Sequence, residues 1–139
     1  MRKIKPRTLK GFRDFLPKEA NKRQWLINTL TSVFESYGFE PLETPALEYA
    51  KTLLNKYGPE ADKLIYQFKD RGGREIGLRY DLTVPLARLI TQYSDKLIFP
   101  FKRYQTAPVW RADKPQSGRY REFWQADIDI VGSSSSISD

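Results

Sequence analysis

From Tyr120 to Val131 the side chains alternate in a way that sorts them by chemistry. Arg121, Phe123, Gln125, Asp127 and Asp129 fall on one side of an extended segment, and Trp124, Ala126, Ile128 and Ile130 on the other, because successive side chains of a strand point to opposite faces. A face that carries a guanidinium, an aromatic ring, an amide and two carboxylates is poorly explained as ordinary core. It suits a site that holds a polyanionic ligand at one end and an ammonium group at the other. Residues Ile98 to Arg111 read as a second long strand, antiparallel to the first. A charged, aromatic-rich loop, Arg111-Ala-Asp-Lys-Pro-Gln-Ser-Gly-Arg-Tyr-Arg-Glu-Phe-Trp-Gln125, leads from one to the other.

The remaining chain reads as α+β. Residues 1–10 are expected to be extended or loosely ordered, with Gly11 to Pro17 a compact turn segment. A helix is predicted from Lys18 to Tyr37, where Leu26, Leu30, Val33, Phe34 and Tyr37 recur at helical spacing and Gly38 supplies a stop. Phe39 to Thr44 reads as a short strand, and Leu47 to Lys56 as a short helix closed by Gly58-Pro59. Leu64 to Phe68 and Glu75 to Tyr80 read as strands around the turn-forming Lys69-Asp-Arg-Gly-Gly-Arg74. Thr83 is expected to cap a helix running to Tyr93, with Pro85 tolerated in its first turn. No repeat, coiled-coil period or interdomain linker interrupts the chain. The polar run after Gly132 reads either as a flexible tail or as the point where a longer protein is cut.

Composition narrows the chemistry. The 139 residues include neither Cys nor His. Disulfides, thiolate metal sites and a cysteine nucleophile are excluded, and the commonest metal ligand and neutral-pH base are missing. No protein-held metal is expected, and catalysis must rest on orientation and electrostatics or on a carboxylate. The net charge of +7 favours anionic partners, although Arg2, Lys3, Lys5, Arg7, Lys10 and Arg13 read more simply as a solvated arm. No run approaches the length of a membrane span, and the amino terminus lacks the apolar segment of a secretory signal.

Two groups of residues could carry chemistry. Arg111, Arg119 and Arg121 can converge on phosphate oxygens if the loop folds back, with Phe123 as a ring for a purine to rest on. The plainer alternative is a basic hairpin held by ion pairs with Asp113 and Glu122. Gln125 and Asp129 share the polar face, and Asp81, after Arg79 at a strand-to-helix junction, could approach them from a neighbouring strand. Two carboxylates and an amide suit an ammonium group, which needs charge balance and acceptors once buried. Asp81 has a plainer reading as a helix-start residue, and Asp127 as a partner for an arginine.

On four stretches the chain resembles the amino-terminal part of the catalytic domain of histidyl-tRNA synthetases, which are class II aminoacyl-tRNA synthetases. These are Gly11-Phe-Arg-Asp-Phe-Leu-Pro17, Tyr37-Gly-Phe-Glu-Pro-Leu-Glu-Thr-Pro45, Leu78-Arg-Tyr-Asp-Leu-Thr83 and the arginine loop. The resemblance covers nearly the whole chain. It implies a mixed, mostly antiparallel sheet with flanking helices, a homodimer formed through Gly38 to Pro45, and a cytoplasmic setting. It also implies activation of histidine with ATP and Mg2+, followed by transfer of the histidyl group to tRNA(His). By motif match Arg111 would hold the α-phosphate and act catalytically on the charge that develops there. Arg119 would reach the γ-phosphate, Phe123 would stack on adenine, and Glu122 would help position ATP. Asp81, Thr83, Gln125 and Asp129 would surround the histidine amino group.

Proteins of that family are several hundred residues longer, so the chain is expected to be a piece of one and inefficient alone. The third class motif, the histidine-signature loop and the anticodon-binding domain would lie in the remainder. A histidyl-tRNA synthetase-like regulatory subunit of histidine biosynthesis, binding histidine without catalysis, is the alternative. The joint presence of Arg111, Arg119, Glu122 and Phe123 counts against it. A basic RNA-binding module would leave Gln125 and Asp129 unexplained.

Overall fold

The two long strands form without interruption. In the computed structural model, which describes residues 5–56 and 58–135, β5 (Phe101–Trp110) and β6 (Glu122–Val131) pair antiparallel over ten residues each. The register sets Arg103 opposite Asp129, Gln105 opposite Asp127, Ala107 opposite Gln125 and Val109 opposite Phe123. The strands end slightly inside the expected limits, and the ladder is extended by the Arg111 N–H donating to the Arg121 carbonyl at 2.9 Å. The expected alternation of β6 is present with its usual burial reversed. Phe123, Gln125, Asp127 and Asp129 are half-buried, whereas Trp124, Ala126 and Ile128 are exposed.

On the other edge of β5, the expected strand over Phe39 to Thr44 contracts to β1 (Glu40–Pro41), parallel to β5. Pro41 has no N–H to continue a ladder, and the next contact is a single donation from Leu42 N–H to the Tyr104 carbonyl at 2.9 Å. Along the same strand Pro108, also lacking an N–H, turns its carbonyl to the Arg79 side chain instead.

A second antiparallel sheet has the order β2-β4-β3, built from β2 (Leu47–Tyr49), β3 (Gln67–Lys69) and β4 (Glu75–Leu78). It corrects the expected helix over Leu47 to Lys56, of which only α2 (Ala50–Leu53) is helical. Leu47, Glu48 and Tyr49 alternate at strand period, and Glu48 points inward to an ion pair with Arg88 at 2.6 Å. After Gly58 a four-residue helix not anticipated from sequence, α3 (Pro59–Asp62), precedes β3. Leu64 and Ile65 close its last turn by donating to Ala61 and Asp62, which moves the start of β3 to Gln67. The β3–β4 hairpin turn is as expected, with Asp70 Oδ1 accepting from the N–H groups of Gly72 and Arg74 at 2.8 and 2.9 Å.

Helix α1 (Pro17–Ser36) follows the expected span, but its apolar stripe is not a core stripe. None of its residues is buried, Leu26 and Val33 remain 50% and 49% exposed, and its contact with β5 includes Phe34 against Tyr104 with ring centroids 5.6 Å apart. Helix α4 (Thr83–Tyr93) has the predicted limits. The cap position falls on Leu82 rather than Thr83; the Asp81 carboxylate just before it accepts from the Val84 N–H at 3.1 Å, and Thr83 is an exposed first-turn residue.

Arg79, only 4% exposed, joins the two sheets. Its Nε donates to the Pro108 carbonyl at 2.9 Å and its Nη1 to the Thr44 carbonyl at 2.7 Å. The main chain adds Arg79 N–H to Ala46 at 2.9 Å and Trp110 N–H to the Arg79 carbonyl at 3.1 Å. On one side of this junction Leu53, Ile65 and Val84 form a core cluster. On the other, Leu82, Ala107 and Val109 form a second, with Phe123 packed against it. The Phe123 end of the polar face of β6 therefore stands on an apolar floor. Of the sequence expectations, those on Arg2, Lys3 and the last four residues lie outside the described residues.

Candidate active site

At the loop end of β6 the chain encloses a cavity of about 430 Å³ lined by Arg13, Arg111, Asp113, Gly118, Arg119, Tyr120 and Phe123. Phe123 is fixed from below by the Leu82–Val109 cluster. The Arg111 guanidinium lies 4.9 Å from the Phe123 ring centroid and 4.2 Å from that of Tyr80, and its Nε donates to the Tyr80 carbonyl at 3.3 Å. Stacking and one backbone bond hold its plane, while charge and further donors stay available to the cavity. Arg119 pairs with Asp113 at 2.5 Å, and its side chain is 59% exposed. An ion pair so open to water contributes little and can yield to an incoming phosphate.

The third arginine of the expected cluster does something else. Arg121 Nε donates to the Asp113 carbonyl at 2.8 Å, its Nη1 to the Lys10 carbonyl at 3.4 Å, and its backbone N–H to the Gly11 carbonyl at 2.8 Å. Gly11 has φ of +87°, and an added Cβ would stand 2.8 Å from the Arg121 side chain. Arg121 is thus a tie between loop and amino-terminal segment, and the expected convergence of three guanidinium groups is corrected on this point. The tie delivers Arg13 to the cavity, stacked 3.3 Å from the Tyr120 ring centroid and 4.8 Å from that of Phe15. Reading Arg13 as part of a solvated arm missed this; the Gly11-Phe-Arg-Asp turn was the available signal. Glu122 faces away from the cavity, accepting from Trp110 Nε1 at 2.6 Å.

Toward the other end of β6, acidic and acceptor groups gather. Asp81, at the start of α4, lies within electrostatic reach of Asp127, and so does Asp129. Burial raises the Asp127 carboxyl above its ordinary value. The charge of Arg103 opposes this, and those of Asp129 and Asp81 add to it. Gln125 offers a buried carbonyl oxygen with no hydrogen-bond donor, as an ammonium group would require. Thr83 follows Asp81 by two residues and is exposed at the start of α4. The expectation that Asp127 partners an arginine is met by charge alone, because the nearby arginine pairs with Asp129 instead. Arg103 is 0% exposed and ion-paired to Asp129, and the charges of Asp129 and Asp127 both act on it. No role was expected for Arg103, although pairing the two strands through the loop would have placed it opposite Asp129.

One strand therefore carries both ends of the arrangement, a cationic, ring-lined cavity and a carboxylate-and-amide cluster. Such a face can align a ligand bearing an amine and a carboxylate with a phosphate ester. It needs no side-chain nucleophile if the ligand carboxylate attacks.

A sequence model of the family described as "Histidyl-tRNA synthetase" matches residues 11–139. Among curated proteins, histidine--tRNA ligase of Treponema denticola is 52% identical over 136 residues, covering 98% of this chain and 30% of the relative. That of Rhodopirellula baltica is 53% identical over 136 residues, covering 98% of this chain and 31% of the relative. The chain thus spans about 30% of the length of these relatives. Its fold is that of histidyl-tRNA synthetase from Nostoc sp. PCC 7120, with a TM-score of 0.80 and 40% identity over 93% of this chain and 29% of that one. A Bacillus halodurans protein described as an ATP phosphoribosyltransferase regulatory subunit/histidyl-tRNA synthetase superposes at a TM-score of 0.81 with 26% identity, over 96% of this chain and 35% of that one.

Proposed function

The chain belongs to the histidyl-tRNA synthetase family, and from that membership we propose that it is the amino-terminal part of the catalytic domain of a histidine--tRNA ligase. The observation that carries the reading is the joint geometry of β6, with Phe123 and Arg111 at the cavity and Gln125, Asp127 and Asp129 further along one face. In this reading ATP occupies the cavity, adenine on Phe123 and the α-phosphate at Arg111, while Arg119 leaves Asp113 to reach the γ-phosphate. Asp81, Gln125 and Asp129 receive the histidine amino group, with Thr83 beside them. A histidine carboxylate oxygen forms a bond to the α-phosphorus, the bond to the bridging oxygen breaks, and pyrophosphate leaves with that electron pair. Arg111 stabilises the charge that develops. The histidyl group then passes to tRNA(His) in the longer protein.

In this reading Glu122 helps position ATP through the strand rather than by lining the cavity. Bound to Trp110, it fixes the strand that presents Phe123. Asp113 is the carboxylate that lines the cavity. In this reading Mg2+ arrives chiefly on the nucleotide phosphates. A homodimer through Gly38 to Pro45 is supported by the exposed apolar side chains that precede it, Leu26 and Val33 on α1 and Tyr37 just after it. A cytoplasmic setting follows from the proposed activity. No described helix is long and apolar enough to cross a membrane.

The retained cation-and-ring cavity favours an ATP-using protein over a purely histidine-binding regulatory subunit. Arg111→Ala tests this. Loss of charge-assisted bonds to phosphate should weaken ATP binding by roughly 10- to 100-fold, measured by calorimetry on the 139-residue chain with its fold verified by circular dichroism. Equal affinity in the folded variant refutes the assignment.

A further inference from the structure

We propose that Arg103 is a positioning residue for amine recognition, supplying from beneath β6 the counter-charge that lets Asp81, Asp127 and Asp129 share one partly buried site. The inference rests on the amine-binding reading above. Arg103 is 0% exposed and cannot touch a ligand. It lies directly across the β5–β6 ladder from Asp129 and is paired with its carboxylate, with Asp127 the next residue on the same face. The groups that meet there come from three places. Arg103 and Gln105 are on β5, Gln125, Asp127 and Asp129 on β6, and Asp81 at the start of α4. Arg103 is the one cation among them.

The Arg103 guanidinium and the Asp129 carboxylate are in ion-pair contact. None of the three guanidinium nitrogens meets a well-aligned acceptor, and the Gln125 carbonyl lacks a donor. A buried polar network left this incomplete is costly by itself. Its persistence beside three carboxylates is explained by charge. Without Arg103 three like charges would crowd a half-buried site, and at least one carboxylate would take up a proton. An incoming ammonium would then have to displace that proton, and Asp129 would have lost the group that orients it.

Calorimetry on the 139-residue chain tests this with two probes, L-histidine and imidazolepropionate, which lacks the amino group. Repeating the titrations in buffers of different ionisation enthalpy counts protons released on binding. The unaltered chain should bind histidine more tightly than imidazolepropionate and release no proton. Arg103→Met should bind histidine at least about tenfold more weakly, release a proton on binding it, and keep its affinity for imidazolepropionate. Arg103→Lys, which keeps the charge, should suppress the proton release. Should Arg103→Met fail to fold, Arg103→Gln, which also removes the charge but keeps a polar side chain for the buried position, carries the test: weakened histidine binding with unchanged imidazolepropionate binding is expected. Unchanged histidine binding, or parallel losses of both ligands, overturns the proposal while leaving amine recognition in place. An unaltered chain that makes no distinction between the two ligands refutes the amine-binding reading and this inference together.

Discussion

Replacing Arg79 with methionine removes the side chain that joins the two sheets, and the cost follows from what stays behind. Two backbone carbonyls, Thr44 at 2.7 Å and Pro108 at 2.9 Å, lose their donors. A buried acceptor left unsatisfied costs about 1–3 kcal/mol, so the pair would cost roughly 2–6 kcal/mol. Part of this is offset. Burial works against the Arg79 charge, as its lowered pKa shows, and methionine fills similar space with nothing to desolvate. The net expectation is a loss of about 2–4 kcal/mol. With a urea m-value of about 2 kcal/mol per molar for a domain of this size, the unfolding midpoint should fall by roughly 1–2 M. Tryptophan fluorescence reads the transition, helped by Trp110, whose ring centroid lies 5.7 Å from the Arg79 guanidinium. Arg79→Lys should recover part of the loss, since one ammonium cannot direct donors to both carbonyls as a planar fork does. A loss below about 0.5 kcal/mol at unchanged m, typical of a surface substitution, would show that the sheets do not depend on this clamp.

Gly11→Ala should destabilise by about 1–2 kcal/mol, because φ of +87° is costly for a residue with a Cβ and because that Cβ would displace Arg121. The Arg121 amide, which donates to the Gly11 carbonyl, should lose hydrogen-exchange protection, and undiminished protection contradicts the tie. Asp127→Asn should stabilise the chain at neutral pH. The folded-state pKa of Asp127 is raised above the ordinary 3.8, so the unaltered chain loses stability as pH rises from that value through the raised one. Below both values the carboxyl is neutral in either state and the advantage of asparagine disappears. Melting curves of the two chains from about pH 3 to about pH 7 should converge at the acid end; a gap that stays constant or widens there contradicts the assignment.

The parts of this structure legible in the sequence are those whose signal is local and repeated. The alternation from Tyr120 to Val131 yields the strand and its two faces, and the start signals around Thr83 and Pro85 place α4, though not its cap. Short elements were not legible in this way. Leu47 to Tyr49 is too brief to separate a strand from a helical turn, and pairing with β4 decides it. Likewise β1 is shortened by the missing N–H of Pro41, and the cap position of α4 falls on Leu82 rather than Thr83, with the Asp81 carboxylate just before it accepting from the Val84 N–H. At the site, Arg111, Arg119 and Phe123 meet as the loop pattern suggests. Arg121, Arg13 and Arg103 were misread or overlooked because their roles depend on contacts across 111, 107 and 26 positions of sequence. An arginine alone does not show whether it will face a ligand, a carbonyl or a carboxylate.

The unbroken ten-residue register of β5 and β6 makes β6 a ruler. Phe123 and Asp129 are six positions apart, which in an extended strand is about 20 Å. In the proposed reading, the span between purine platform and amine socket is therefore set by backbone geometry and is indifferent to the loop that joins the strands. Residues 112–120 could be lengthened or shortened while both ends kept their separation. Deleting one residue between Phe123 and Asp129 would shorten the ruler by about 3.3 Å and turn everything beyond it over. The apolar Ile128 and Ile130 would then face the site and the carboxylates would face away. The loop is where such a protein can vary, and the strand is where it cannot.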